Sequence, residues 1–498
     1  MNLLTLLACV ALRDPPEMME QPLNPQAILG TQDPALQKLL HRHWEGLLRR
    51  APLFASRTGD HRYDRLIDDN SPAGIASGYE EDRQLLAEIE RMPVPTRPAD
   101  AENRELLRHE LDGQVGQQRC HFEQWALSAR FNALLYANDL VELHPVETAD
   151  DGRNYLARVA SLSAYVGFEV QNLEAGLKAG RVGNATSTAL VLEMVEKELK
   201  APVEESPLWG PALVDHADWP AEVQADFRSR LRTLLSTELR PALEAYRDFL
   251  RDRLLPAARP EGKEGLHYLP DGDACYAATI RFHTSLPLPA ETLHNTGLEE
   301  LKSTHAEIRK LGYKLFGTED LQVIFQKLRE DPQLHFQTAE EVQKKAEDSL
   351  ERARQRLPEI LGHAPAGQCT VEAIPAYQAP YTTIAYYQPG VPGEEGGRYF
   401  INTYAPETRP RYEAEVLAFH ESIPGHHLQI AIAQESREIP AFRQYLGATA
   451  FVEGWALYTE RLADELGLYS GDLDRMGMLS FDTWRSARLV VDTGIHHY

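Results

Sequence analysis

Cysteine is scarce in this sequence of 498 residues: there are four, Cys9, Cys120, Cys275 and Cys369, scattered singly with no Cys-x-x-Cys pair. That excludes a zinc ribbon and a thioredoxin-like redox site, and leaves the redox compartment unspecified. Basic charge is short as well. With 51 Lys+Arg against 75 Asp+Glu the formal net charge is −24, so the chain lacks the positive face that nucleic acid requires. No apolar run approaches the roughly 18 residues of a membrane-spanning helix. There is no Gly-x-Ser-x-Gly elbow and no phosphate-binding glycine loop, so serine-hydrolase and nucleotide-enzyme readings have no support. Internal repeats and low-complexity blocks are absent too. What is present is 43% hydrophobic residues, enough to fill a core and to exclude disorder as the main state.

The N-terminus admits two readings. Leu6-Leu7-Ala8-Cys9 closes a short apolar stretch as a bacterial lipoprotein signal does, and Arg13-Asp14-Pro15-Pro16-Glu17 follows as a polar tether. An ordinary secretory signal has a basic start and about 15–30 residues. Only eight residues precede Cys9, and none is basic. Either the true start lies upstream and Cys9 is lipidated, or this is a ragged terminus. The first reading, taken forward, predicts attachment to a membrane and residence in the cell envelope.

From Pro34 to Leu250 apolar residues recur three and four apart, as in Leu36-Leu39-Leu40-Trp44-Leu47-Leu48 and Ala189-Leu192-Val195-Leu199, which predicts long amphipathic helices. Proline and glycine interrupt the pattern at 92–99, 201–220 and 256–272. The last break divides the chain into a possible signal and tether (1–33), an N-terminal helical lobe (34–255) and a C-terminal lobe (256–498). Helices are expected again at 289–312, 320–329 and 338–356. Between them and the next helix, Tyr377–Tyr387 and Arg398–Tyr404 are rich in tyrosine and β-branched residues, and predict a small antiparallel sheet. The fold class is mainly α.

The helix after that sheet reads His420-Glu421-Ser-Ile-Pro424-Gly425-His426-His427. Imidazoles that bind a metal ion and a neighbouring carboxylate that takes a proton from water are what a hydrolytic zinc site needs. The usual His-Glu-x-x-His spacing puts both histidines about 40° apart around a helix. Here His426 falls about 240° round an ideal helix and His427 about −20°, so a straight helix favours His427. Pro424-Gly425 makes a straight helix improbable; if the extra residues loop out, His426 takes the second position. A third ligand is offered by Glu453, on a helical run from Ala448 to Leu466 where Glu460 lies seven residues further on the same face. A carboxylate among Val452, Ala456 and Leu457 is costly unless paired or bound to metal, so Glu453 is either a ligand or part of a buried polar network.

These segments resemble the bacterial domain of unknown function 885 family, which is similar to zincin metallopeptidases. The most specific parts are Phe400-Ile-Asn-Thr-Tyr404, His420-Glu-Ser-Ile-Pro-Gly-His-His-Leu-Gln429 and Phe451-Val-Glu-Gly-Trp-Ala-Leu-Tyr458. Phe54-Ala-Ser-Arg-Thr-Gly-Asp60, Tyr268–Tyr276 and His294–Leu298 extend the likeness over most of the chain. The family pattern implies His426 as second ligand. Phe451-Val-Glu453 also looks like the third-ligand segment of thimet-type oligopeptidases, which implies a two-lobed helical architecture like theirs and those of angiotensin-converting enzyme and Taq-type carboxypeptidases.

Carried onto this chain, the resemblance implies Zn²⁺ held by His420, His426 and Glu453, with Glu421 as general base. It further implies a helix bearing Arg485, Arg488, Asp492 and His496, in which Arg488 holds a substrate carboxylate and His496 donates to the oxyanion; the plain alternative is a solvated basic face. Asn402 and Tyr404 are expected either to bind an extended peptide or to pack the sheet. Family members continue past the Asp492–His496 run, so the chain reads as truncated at Tyr498. The expected activity is hydrolysis of short peptides. The rivals are a non-catalytic zinc-binding or peptide-binding lipoprotein, with His427 closing a four-ligand shell, and a zinc hydrolase of non-peptide amides.

Overall fold

Helix starts are written locally. Asp33, Ser71, Thr148, Asn184 and Thr338 each accept a hydrogen bond from a backbone N–H of the first turn, the side-chain cap that relieves an otherwise unsatisfied donor. In the computed structural model, which describes residues 22–362, 364–375, 379–390 and 396–498, they open α1 (Pro34–Arg50), α2 (Pro72–Arg91), α4 (Ala149–Ala179), α5 (Ala185–Lys200) and α9 (Ala339–Ile360). Between them stand α3 (Pro98–Gln117), α6 (Gly272–Thr284), α7 (Ala290–Phe316) and α8 (Leu321–Glu330). Cys9, the 13–17 tether and residues 377–378 of the expected Tyr377–Tyr387 run lie outside the described residues. The breaks at 92–99, 201–220 and 256–272 separate the long helices to within two residues at their ends, the middle one holding a short helix, Gly210–Leu213. Residues 221–257 form one continuous helical run with two π turns, Leu235–Leu239 and Leu250–Leu254. Each stands two residues before a proline, Pro241 and Pro256, which lacks the N–H that an α-helical ladder needs there.

The small sheet is mixed, not antiparallel as expected. Its strands β1 (Cys369–Ala373), β2 (Ala385–Gln388) and β3 (Gly397–Ile401) run in the order β1-β3-β2. The tyrosine-rich runs supply the antiparallel pair, Tyr386 facing Phe400 across β2 and β3. The added strand is β1, parallel to β3 with Val371 opposite Tyr399.

Core side chains gather in several clusters. One draws only on residues between Leu53 and Leu254. A second joins α1, α2 and α3 to Ala441 and Phe442. A third packs α9 and the sheet against Ala418, Phe419 and Leu428. Cys120 and Cys275 form a disulfide that ties the end of the α3 segment to α6, across 155 residues; Cys369 is free and buried. Among the described residues no helix is long and apolar enough to cross a membrane.

Four later helices complete the chain around the site: α10 (Ala414–Glu421), α11 (His426–Glu435), α12 (Thr449–Glu465) and α13 (Asp472–His496). Two devices fix them. Glu415, fully buried in α10, accepts from the Ser470 N–H at 2.8 Å and pairs with Lys345 of α9 at 2.6 Å, so α10 is pinned by charge as well as by packing. Gly297 lets α7 lie close against α13: a Cβ there would stand 2.9 Å from the Leu489 Cβ and the Ser486 carbonyl oxygen.

Candidate functional site

The His-Glu helix breaks where its sequence says it must. Pro424 has no N–H to donate, and a Cβ on Gly425 would lie 1.8 Å from the His420 carbonyl oxygen. The chain therefore doubles back over the last turn of α10, which ends at Glu421, and a new helix begins at His426. His426, not His427, turns toward His420, their ring centroids 4.7 Å apart and nearly perpendicular at 84°.

Glu453, one turn into α12, completes the group. Its Oε2 is 3.7 Å from His420 Nε2 and its Oε1 is 3.8 Å from His426 Nε2. One donor atom from each of the three residues lies within 4.8 Å of the others. Tetrahedral coordination at metal–ligand distances near 2.1 Å puts ligands ~3.4 Å apart, so the two contacts of Glu453 stand a few tenths of an ångström wider than bound ligands would. Two buried imidazoles and one carboxylate fit a zinc ion with one position left open. Both histidines are almost inaccessible, whereas the Glu453 side chain is 59% exposed, so the group opens to solvent on the α12 side.

Two further residues grip His420 from behind. Its Nδ1 lies 2.8 Å from Glu460 Oε1. Arg485 of α13 grips the same carboxylate with both arms, at 3.0 Å to Oε2 and 2.7 Å to Oε1, and one arm comes within 3.0 Å of His420 Nδ1. Glu460 is 1% exposed, so its charge depends on partners such as these rather than on solvent. By contrast the buried Nδ1 of His426 has no hydrogen-bond partner among the described residues. Burial works against charge on His420, but the Glu453 carboxylate facing its Nε2 and the Glu460 carboxylate that accepts from its Nδ1 outweigh it and carry the pKa of the imidazole up to about 9. His426 is pushed down by burial and by the positive charge of His420. The His420 imidazole facing Glu453 holds its carboxyl below the usual range, against burial.

Glu421 ends α10 beside His420. Burial lifts its pKa, with the Glu453 charge adding to the lift, while the His420 charge and a hydrogen bond from the Tyr387 backbone N–H oppose it. A carboxylate disposed to accept a proton thus stands next to the three donors.

The other expected residues are elsewhere. His427 is buried, its Nδ1 3.1 Å from the Tyr387 hydroxyl, and it is absent from the three-donor group; it anchors α11 to β2. Asn402 donates both amide hydrogens to the Ala379 and Thr383 carbonyls and accepts from the Tyr404 N–H. Its amide is consumed in holding the turn before β2, and Tyr404 is exposed, so the sheet-packing alternative describes Asn402. Arg488 is exposed, its guanidinium 4.9 Å above the Trp484 ring. His496 stands eleven residues, about 16 Å, beyond Arg485 along α13. Its Nδ1 accepts from the Leu266 N–H at 3.2 Å, so it is not brought to the three donors. Sequence reasoning missed the parts played by Glu460 and Arg485. The signal for Glu460 was present in its seven-residue spacing from Glu453, whereas Arg485 read as half of a solvated basic pair.

Comparison with known proteins agrees with this architecture. The crystal structure of a candidate lipoprotein from Colwellia psychrerythraea superposes with a TM-score of 0.87 at 20% identity, covering 93% of this chain and 84% of that one. A candidate lipoprotein of unknown function from Shewanella oneidensis matches with a TM-score of 0.66 at 18% identity and the same coverage. No curated protein sequence matches. The family model for bacterial proteins of unknown function designated DUF885 matches residues 52–498, and the chain belongs to that family.

Proposed function

We propose that the protein is a zinc-dependent peptide hydrolase of the cell envelope, acting on short peptides. The observation that carries the reading is the convergence of His420, His426 and Glu453 donor atoms within 4.8 Å beside a partly buried carboxylate, Glu421. Zinc, when bound, polarises the scissile carbonyl and makes water a stronger acid. The chain's own residues do the rest. His420, His426 and Glu453 hold the ion and leave one side open to solvent. Glu421 accepts the proton of the attacking water and returns it to the leaving amine. The Tyr387 N–H keeps that carboxylate oriented. Because β2 is an edge strand, an extended peptide adding to its free side would run alongside Glu421. The preference for short peptides rests on the zincin-like resemblance, a fold-level argument.

The envelope reading rests on three supports: the Leu-Leu-Ala-Cys9 sequence, the two lipoprotein-like neighbours, and a Cys120–Cys275 disulfide, a bond that persists in oxidising compartments. The rival, a zinc-binding or peptide-binding lipoprotein without turnover, expects His427 to close the shell. The engagement of His427 with Tyr387 weighs against it.

Metal content by mass spectrometry, on wild type and on His420→Ala, His426→Ala, His427→Ala and Glu453→Ala, tests the ligand set. One zinc per chain, kept only in wild type and His427→Ala, is expected. Glu421→Gln should keep zinc and lose hydrolysis of a peptide library. Full activity in that variant would sink the mechanism, and zinc without turnover in wild type would favour the rival.

A further inference from the structure

The array behind His420 spans three helices. Arg485 on α13 lies 5.2 Å above the Phe481 ring of its own helix and closes a two-armed grip on Glu460 of α12. Glu460 in turn meets His420 of α10 at Nδ1. An imidazole can offer a lone pair on one nitrogen only while the other carries the hydrogen. The nitrogen that faces Glu453 is Nε2. For Nε2 to be a ligand, the hydrogen must sit on Nδ1 and be donated to Glu460.

Arg485 also stands within 3.0 Å of Nδ1, and a guanidinium is a donor only. It can bond Nδ1 only when Nδ1 bears the lone pair, the tautomer in which Nε2 carries hydrogen and cannot bind a metal. The same Arg485 nitrogen stands closer to Glu460 Oε1, at 2.7 Å, so its hydrogens go to that carboxylate and leave the carboxylate to accept from Nδ1–H, the metal-binding tautomer. His426 has no such contacts: its Nδ1 is unpartnered among the described residues. Control of the ligand set is concentrated on one of its two histidines.

We infer that the Glu460–Arg485 pair sets metal occupancy of the site, Glu460 by selecting the metal-binding tautomer of His420 and Arg485 by holding the Glu460 carboxylate in place to do so. The inference rests on the zinc-site reading and deepens it. Both are positioning residues: neither lies among the three donors. Partners of this kind change metal affinity by about 10- to 100-fold when lost.

The test compares zinc affinity, by competition with a chromogenic chelator, in wild type, Glu460→Gln, Glu460→Asp, Arg485→Lys and the double variant Glu460→Leu/Arg485→Met. The double variant removes both charges together and so avoids an unpaired buried ion that could unfold the chain. Melting of each protein in EDTA reads stability apart from metal. The visible spectrum of the Co²⁺ form reads the ligand geometry. Glu460→Gln and the double variant are expected to bind zinc about 10- to 100-fold more weakly, with altered Co²⁺ spectra, and Arg485→Lys to fall between them and wild type. Affinity within twofold of wild type in a folded Glu460→Gln and a folded double variant would overturn the inference while leaving the zinc site standing. Absence of zinc binding in wild type would overturn the site itself, and this inference with it.

Discussion

The disulfide between Cys120 and Cys275 gives the most direct measure of how the two halves of the chain are held. It closes a loop of 155 residues, nearly all of the chain between α3 and α6. In the chain-entropy treatment a loop of that length restricts the unfolded ensemble by about 5 kcal/mol. Unfolding a protein of this size carries an entropy of roughly 1 kcal/mol per kelvin, at ~2 cal/mol/K per residue, so loss of the bond should lower Tm by about 5 °C. Both cysteines are nearly inaccessible, 3% each, within a cluster that includes Leu266, Leu269 and Tyr276. Alanine is therefore the replacement that leaves no stranded polar group. Cys120→Ala, Cys275→Ala and the double variant should all melt lower by the same amount, because the bond is lost once in each. Protein from an oxidising compartment, denatured without reductant, should leave Cys120 and Cys275 unalkylated while Cys369 reacts. Alkylation of both without reduction, or single variants whose effects add in the double, would refute the reasoning.

Three further outcomes are expected. Gly425→Ala should abolish zinc binding with a small loss of stability, since its Cβ meets the His420 carbonyl at 1.8 Å and forces apart the turn that joins both histidines; zinc content and melting in EDTA read the two effects separately. Glu415→Ala should cost about 3 kcal/mol in urea unfolding, because it strips a fully buried carboxylate from Lys345 and Arg352 while Asp474 still pairs Lys345 at 2.8 Å. Burial, helped by the charge of Arg50, holds His43 down at about 4 against about 6.5 when unfolded. A depressed pKa contributes stability that is complete above 6.5 and lost as pH falls toward 4, about 3 kcal/mol in all; His43→Leu should flatten that part of the curve in denaturant titrations from pH 7 to 4.

Periodicity made the helices legible. The breaks at 92–99, 201–220 and 256–272 separate observed helices, and the expected 338–356 helix is α9. The sheet was legible in part. Tyr386 and Phe400 announce themselves as a strand pair, but Cys-Thr-Val-Glu-Ala alternates over only five residues, too short a run to mark β1, and parallel pairing is set by the path of the chain between strands, which composition does not encode. The residues of the three-donor group could be read because each ligand type recurs at a recognisable spacing. Choosing His426 over His427 by geometry alone could not be done, since the angle between them depends on how the helix breaks. Arg485 was opaque for a plainer reason: its partner Glu460 lies on another helix, α12, and no local spacing relates the two. The same holds for the 155-residue disulfide span, which no local signal predicts.

The interruption at residues 422–425 also changes the electrostatic setting of the ligands. In an unbroken helix both histidines would lie in the middle of the backbone dipole, where its end charges are not felt. Here α10 finishes at Glu421 and α11 starts at His426, so the ligands sit where the partially negative carboxyl end of one helix faces the partially positive amino end of the next. Each end carries roughly half an elementary charge. The carbonyl end stands beside His420, where a cation is favoured, and the amide end lies at His426, where it opposes charge on that ring in the same direction as burial does. Splitting one helix in two thus builds a field gradient across the donors that needs no additional side chain.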